Sequence, residues 1–363
     1  MKNLFKVIIG GPATSGKTTL LHLLEGDQNI INYNHDKVLK LYKKIFNERS
    51  LYFLKDLIKN KKSVVIKSRT SKKKKYLNLE TLKKALYEIG YARIEASSFY
   101  NEAQCHYSSE SFFNEKKNNF IFDFENFDKK IKIDIFKKSK KSFFFEDIVD
   151  IYFKSYLNNC KNIKKSNYKN IVFKSPNELI DIENCIGELR EGKFIYLKRD
   201  ILGLIKSRAL GFKLRDANIN NINNIDHYFR RILFSNYIEN ILNSYQRVDN
   251  LKLKFTNKIY VTSLENIIYE TNTEMKKIIK FLNLKNKPSY FYPSYNGINI
   301  SKNHILKIND DEVLISKKLI NLFKLRIFGF SYYIENPNEF SFINFILFYY
   351  IRIKNLINLK YFR

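Results

Sequence analysis

Tryptophan is absent, and methionine (2), cysteine (3), proline (5) and glycine (11) are scarce in a chain of 363 residues. Each shortage excludes something. The three scattered cysteines, Cys105, Cys160 and Cys185, make no CxxC and no Cys/His spacing, so no metal site is expected and a reducing compartment is. No apolar run reaches the roughly 18 residues of a membrane-spanning helix. The N-terminal MKNLFKVIIGG has too short an apolar run for a signal peptide. A cytoplasmic location follows as the expectation. No internal repeat is visible.

Acidic residues are also few, 36 against 65 basic, for a formal charge of +29. That balance favours an anionic partner such as a nucleotide, a polyanionic glycan or a lipid headgroup. Most individual lysines, including the run Lys72–Lys75, read as solvated surface. No nucleic-acid-binding module is recognisable, so no nucleic-acid partner is expected.

Hydrophobic residues make up 44% of the chain, enough for a sizeable core. Short apolar runs recur: FKVIIGG from Phe5, SVVIKS from Ser63, NIVFKSP from Asn170, KFIYLKRD from Lys193 and KIYVTSLEN from Lys258. They look like strands buried on both faces of a parallel sheet. Helically spaced segments separate them, among them TLLHLLEG, LETLKKALYEIG and EMKKIIKFLNL. The expected fold is α/β: an open parallel sheet of P-loop type flanked by helices, spanning 1–335. An irregular, mainly helical insertion is expected at about 97–169. A basic, aromatic extension follows at 336–363, with no acidic residue after Glu339. It reads first as a helix packed on the domain or on a second subunit. A peripheral membrane contact is the second reading. Oligomeric state is open.

Gly10, Gly11 and Gly16 fall within seven positions of a glycine-poor chain. Gly11, Gly16, Lys17 and Thr18 fit G-x-x-x-x-G-K-[ST] between a strand and a helix. Glycines let the backbone wrap an anion, the helix start offers N–H groups, and Lys17 adds charge. Use of Mg-ATP also calls for an acid at a strand end. Asp200 is the best placed, but Arg199 directly precedes it, and Lys174 and Glu265 occupy the other strand ends. Arg199 ends a strand and Asp200 is a good helix N-cap. Ser207 lies about two helical turns further on. Arg199 and Ser207 can hold one phosphate from two sides.

With these residues the sequence resembles the sulfotransferases that use 3′-phosphoadenosine-5′-phosphosulfate (PAPS). GPATSGKTTL resembles the family's 5′-phosphosulfate loop, and Arg199 with Ser207 its 3′-phosphate segment. FKSP, IYVTSLENIIYETNTEMKKIIKFLNL and YNGINISKN resemble three further family stretches, in order. The likeness covers roughly 5–335 in patches and is nearer to Golgi-type and bacterial glycan sulfotransferases. This chain reads SGKTT where the family usually reads Ser-Gly-Thr-Thr, and Ile201 replaces a common proline.

The resemblance implies PAPS as cosubstrate, a hydroxylated acceptor such as a glycan, in-line transfer and no metal. It implies that Gly11, Thr14, Ser15, Gly16, Lys17, Thr18 and Thr19 hold the 5′-phosphosulfate, and Arg199 and Ser207 the 3′-phosphate. Lys17 and Lys174 would neutralise charge at the breaking bond. His35, with Asp36 second, would be the general base. A P-loop kinase using Mg-ATP on a small molecule stays open as the alternative.

Overall fold

The computed structural model describes residues 5–24, 30–33, 40–46, 63–78, 82, 129, 142–159, 170–174, 179–201, 203–205, 207–208, 237–286, 291, 294–295 and 298–299. The chain divides into two compact units. The first comprises Met1–Pro12, Gly16–Leu197 and Val248–Ile300; the second comprises Ala13–Ser15, Lys198–Arg247 and Ser301–Arg363.

The first unit is built on a five-stranded sheet. Its strands are β1 (Phe5–Gly10), β2 (Ile30–Tyr33), β6 (Asn170–Lys174), β7 (Gly192–Lys198) and β8 (Ile259–Ser263), in the order β2-β6-β1-β7-β8. β1 pairs in parallel with β6 and with β7, and β2 in parallel with β6. Val7, Ile8 and Ile9 of β1 are at most 1% exposed, as a strand covered on both faces requires. Burying each such side chain contributes about 1.5–3 kcal/mol.

Helix α1 (Lys17–Leu23) places Leu20 and Leu21 in the same core as Val7, Ile9 and Ile195, and α2 (Lys40–Phe46) buries Leu41, Tyr42, Ile45 and Phe46. Helix α7 (Thr271–Leu282) adds Met275, Ile278, Ile279 and Leu282, one stripe at helical spacing. Between β8 and α7 runs α6 (Leu264–Tyr269), whose N-cap Ser263 accepts from Asn266 N at 3.1 Å. The αβ alternation and parallel pairing are those expected from the apolar runs. One of those runs, however, is placed differently.

SVVIKS is not in the parallel sheet. It forms β3 (Ser63–Lys67) of a separate three-stranded sheet with order β4-β3-β5, antiparallel to β4 (Lys74–Asn78) and parallel to β5 (Ser142–Phe144). Val64 and Ile66 are buried while Val65 and Lys67 are half-buried. That two-residue alternation marks a sheet packed on one face only. The parallel sheet instead takes IINY as its edge strand β2. Within 97–169, the residues described beyond 129 are β5 and α3 (Phe145–Asn159); Phe145, Ile148 and Tyr152 of this helix are buried.

Two buried polar clusters tie these pieces together. Lys6 of β1 is 0% exposed, and its Nζ lies 3.2 Å from Glu146 Oε1 and 2.7 Å from Asp150 Oδ1, both on α3. Burial pushes the Glu146 carboxyl up. The Lys6 ammonium and the N–H groups of Glu191 and Arg190 outweigh it and hold that carboxyl below its usual range. Burial prevails at Asp150, whose carboxyl is raised despite Lys6. Glu188, also 0% exposed, follows α4 (Leu179–Cys185). Its carboxylate accepts from Ser68 Oγ (2.5 Å), Arg69 N (2.8 Å) and Thr70 N (2.9 Å), which anchors the β3–β4 turn. Breaking a buried pair from one side costs about 3–5 kcal/mol.

The described part of the second unit holds the loop tip 13–15, helical residues between 201 and 208, and the start of α5 (Tyr237–Lys254). Among the described residues, no helix is long and apolar enough to cross a membrane. Residues 336–363 lie outside the described residues.

Candidate functional site

The glycine loop leaves the carboxyl end of β1, the middle strand of the parallel sheet. Open α/β sheets bind ligands at that edge. Chain direction changes abruptly here, and the dihedrals show why glycine is needed. Gly11 has φ 139° and Gly16 has φ 89°. At Gly16 a Cβ would also collide with the Leu264 side chain of α6. At these two positions the loop therefore depends on glycine backbone conformations.

Lys17 is 8% exposed and folds back over the loop. Its ammonium donates to the carbonyls of Gly11 (2.7 Å) and Pro12 (2.5 Å). A full positive charge is thus held at the loop's centre. Thr19 is buried and Thr18 half-buried, both in the first turn of α1. Ser15 is 0% exposed, and its Oγ has no hydrogen-bond partner among the described residues. A buried hydroxyl without a partner calls for one from outside the chain. The loop's backbone, charge and Ser15 all fit a phosphate- or sulfate-like anion.

At the tip, Thr14 has φ 64°. A β-branched residue in the left-handed region carries strain of roughly 1–2 kcal/mol. The carbonyl so presented accepts a hydrogen bond of 2.6 Å from Arg199 Nη1. Thr14 Oγ1 donates to Ala13 O at 2.6 Å. Arg199 is the first residue after β7, which runs in register beside β1 with Gly10 opposite Tyr196. A strand-end arginine and the loop tip are therefore in direct contact.

Asp200 behaves as the expected N-cap. Its backbone carbonyl accepts from Leu204 N at 3.0 Å and its Oδ2 from Gly203 N at 2.8 Å. Its carboxylate is engaged in capping. Ser207 lies on this helix and is half-buried. Tyr245 of α5 grips Arg199 from behind: its hydroxyl accepts from Arg199 N (2.9 Å) and donates to Arg199 O (2.8 Å).

Gly11, Gly16, Lys17, Thr18 and Thr19 thus belong to the loop ends and helix start of the first unit, while Thr14 and Ser15 belong to the second, where Arg199 meets Thr14. Lys174 is the last residue of β6, with its side chain outside the described residues. His35 and Asp36 also lie outside the described residues. Among the described residues no cluster of three His, Cys, Asp or Glu side chains could hold a metal ion. Sequence reasoning missed two residues. Tyr245 carries no local motif; only the fold brings it to residue 199. Thr262 of β8 is 5% exposed and its Oγ1 has no hydrogen-bond partner among the described residues. Its position two residues before Leu264, which packs on Gly16, was the available signal.

No family model matches the chain, and no curated protein matches it. Among solved structures, the chain is similar to the sulfotransferase domain from the curacin biosynthetic pathway, at 15% identity and TM-score 0.37, covering 87% of this chain and 91% of that one. It is similar to the sulfotransferase domain from the Synechococcus PCC 7002 olefin synthase, at 13% identity and TM-score 0.40, covering 96% and 94%. It is also similar to retinol dehydratase in complex with androsterone and inactive cofactor PAP, at 11% identity and TM-score 0.36, covering 93% and 84%. At these scores the likeness carries no functional weight, which leaves function to the residues themselves.

Proposed function

We propose that the chain is a sulfotransferase that moves a sulfuryl group from PAPS to a hydroxyl of a glycan or other acceptor. The observation that carries this is the hydrogen bond from Arg199 to the tip of the glycine loop at Thr14. A P-loop alone accounts for one phosphate. A guanidinium brought to the same loop from the next strand end supplies a second cationic hold. A donor phosphorylated at both the 5′ and 3′ positions uses both.

In this account the loop backbone, Lys17, Thr18, Thr19 and Ser15 hold the 5′-phosphosulfate. Arg199 and Ser207 hold the 3′-phosphate, and Thr262 offers its hydroxyl, which has no partner among the described residues, to the same donor. The acceptor oxygen bonds to sulfur as the bond from sulfur to the 5′-phosphate oxygen breaks. The products are the sulfate ester and 3′,5′-ADP. The acceptor's proton passes to a base, for which His35, then Asp36, is proposed. Lys17 and Lys174 are proposed to offset charge on the leaving phosphate. The work asked of the protein is positioning and charge stabilisation, as in phosphoryl transfer.

Lys17 in a GKT sequence keeps Mg-ATP chemistry as the second reading. The test is transfer of label from sulfur-labelled PAPS to hydroxylated acceptors, glycans included, with Arg199→Ala alongside. Labelled ester formed by the wild type and lost in the variant is expected. Phosphoryl transfer from Mg-ATP, with PAPS inert, would replace this function by a kinase's.

A further inference from the structure

We infer that Tyr245 is a positioning residue whose hydroxyl fixes Arg199 for the 3′-phosphate; this rests on the PAPS reading above. Arg199 stands just past the end of β7, where strand pairing no longer holds its backbone. One phenol oxygen does so instead, accepting from Arg199 N at 2.9 Å and donating to Arg199 O at 2.8 Å. Both polar backbone groups of a single residue are bound by one side chain 46 positions away. The contact sets the φ and ψ of residue 199 and hence the direction in which its side chain departs.

Two further contacts show that the direction is specified. The guanidinium lies over the backbone of Gly203, where a Cβ would come within 3.0 Å of Arg199 Nε. Beyond Gly203 it ends on the Thr14 carbonyl at 2.6 Å. Lys198 Nζ sits over the Tyr245 ring, 5.4 Å from its centroid. That contact uses the ring face and leaves the hydroxyl to Arg199. Phenylalanine at 245 would preserve the ring and remove both of these hydrogen bonds.

The experiment compares the affinities of 3′,5′-ADP and 5′-AMP by titration calorimetry. Their ratio isolates what the 3′-phosphate contributes. In the wild type 3′,5′-ADP binds more tightly. Tyr245→Phe is expected to cut that preference about tenfold, the size of one or two lost hydrogen bonds. 5′-AMP binding stays unchanged. Ser244→Ala, whose Oγ donates only within its own helix to Asn240 O at 2.7 Å, should leave both affinities alone. Gly203→Ala, which displaces the guanidinium directly, should reproduce the Tyr245→Phe pattern.

A merely structural tyrosine would weaken both ligands alike, and that result overturns the inference. So does a preference that survives Tyr245→Phe intact while Arg199→Ala abolishes it; the PAPS reading then still stands. A wild type that does not prefer 3′,5′-ADP over 5′-AMP removes both.

Discussion

Substituting Gly16 by alanine probes the loop at its tightest point. Two separate penalties arise there. The residue has φ 89°, a backbone region that costs an L-residue roughly 1–2 kcal/mol. The new Cβ would also stand 3.1 Å from Leu264 Cγ and closer still to its Cδ1. Leu264 is 5% exposed and has little room to retreat, so overpacking adds about 1–3 kcal/mol. The total is about 2–5 kcal/mol, read as a lower midpoint in denaturant unfolding. Leu264→Ala separates the two penalties. It is itself destabilising by about 2–5 kcal/mol, but it empties the space that the Cβ needs. In the double variant the clash vanishes and only the dihedral cost remains, giving a favourable coupling of about 1–3 kcal/mol. Strict additivity, or a Gly16→Ala protein as stable as the wild type, would refute this loop geometry.

Lys17→Met should remove nucleotide binding, roughly a hundredfold or more in calorimetry, because the loop loses the ammonium held at its centre. Thr262→Val should leave unfolding stability within about 1 kcal/mol, since its hydroxyl has no partner among the described residues to lose. The same variant should weaken donor binding, and an unchanged dissociation constant would remove Thr262 from the site. Glu146→Gln tests the buried ion cluster through pH. The Glu146 carboxyl is lowered in the folded state, so between its folded and unfolded pKa values the unfolded chain binds more protons and stability rises with pH. The contribution is present above the ordinary carboxylate range and is lost as pH falls through the folded value. Glu146→Gln should therefore be less stable at pH 7, with the gap to wild type narrowing below about pH 4. A gap constant from pH 7 to pH 3 would contradict that origin.

Much of the fold was legible because buried parallel strands leave continuous apolar runs. FKVIIGG, NIVFKSP, KFIYLKRD and KIYVTSLEN all became strands of the one sheet. SVVIKS misled for a physical reason. Five residues cannot reveal whether one face or two are covered, and the alternation of Val64 and Ile66 with Val65 and Lys67 emerges only from burial. IINY was passed over because it is short and bordered by polar residues, features common at a sheet's edge. The charge of Lys6 was equally invisible as a core group, since its partners Glu146 and Asp150 lie 140 and more residues away. Two local features could be read directly: glycines at 11 and 16 have positive φ, and Asp200 caps its helix. Tyr245 depended on tertiary packing that no spacing encodes.

The most direct measurement is a calorimetric titration of the whole chain with 3′,5′-ADP, 5′-AMP and Mg-ATP, repeated on Arg199→Ala. The account predicts that 3′,5′-ADP binds tightest and that Arg199→Ala removes its advantage over 5′-AMP by about 10- to 100-fold. Tight Mg-ATP binding without any response to 3′,5′-ADP would contradict it.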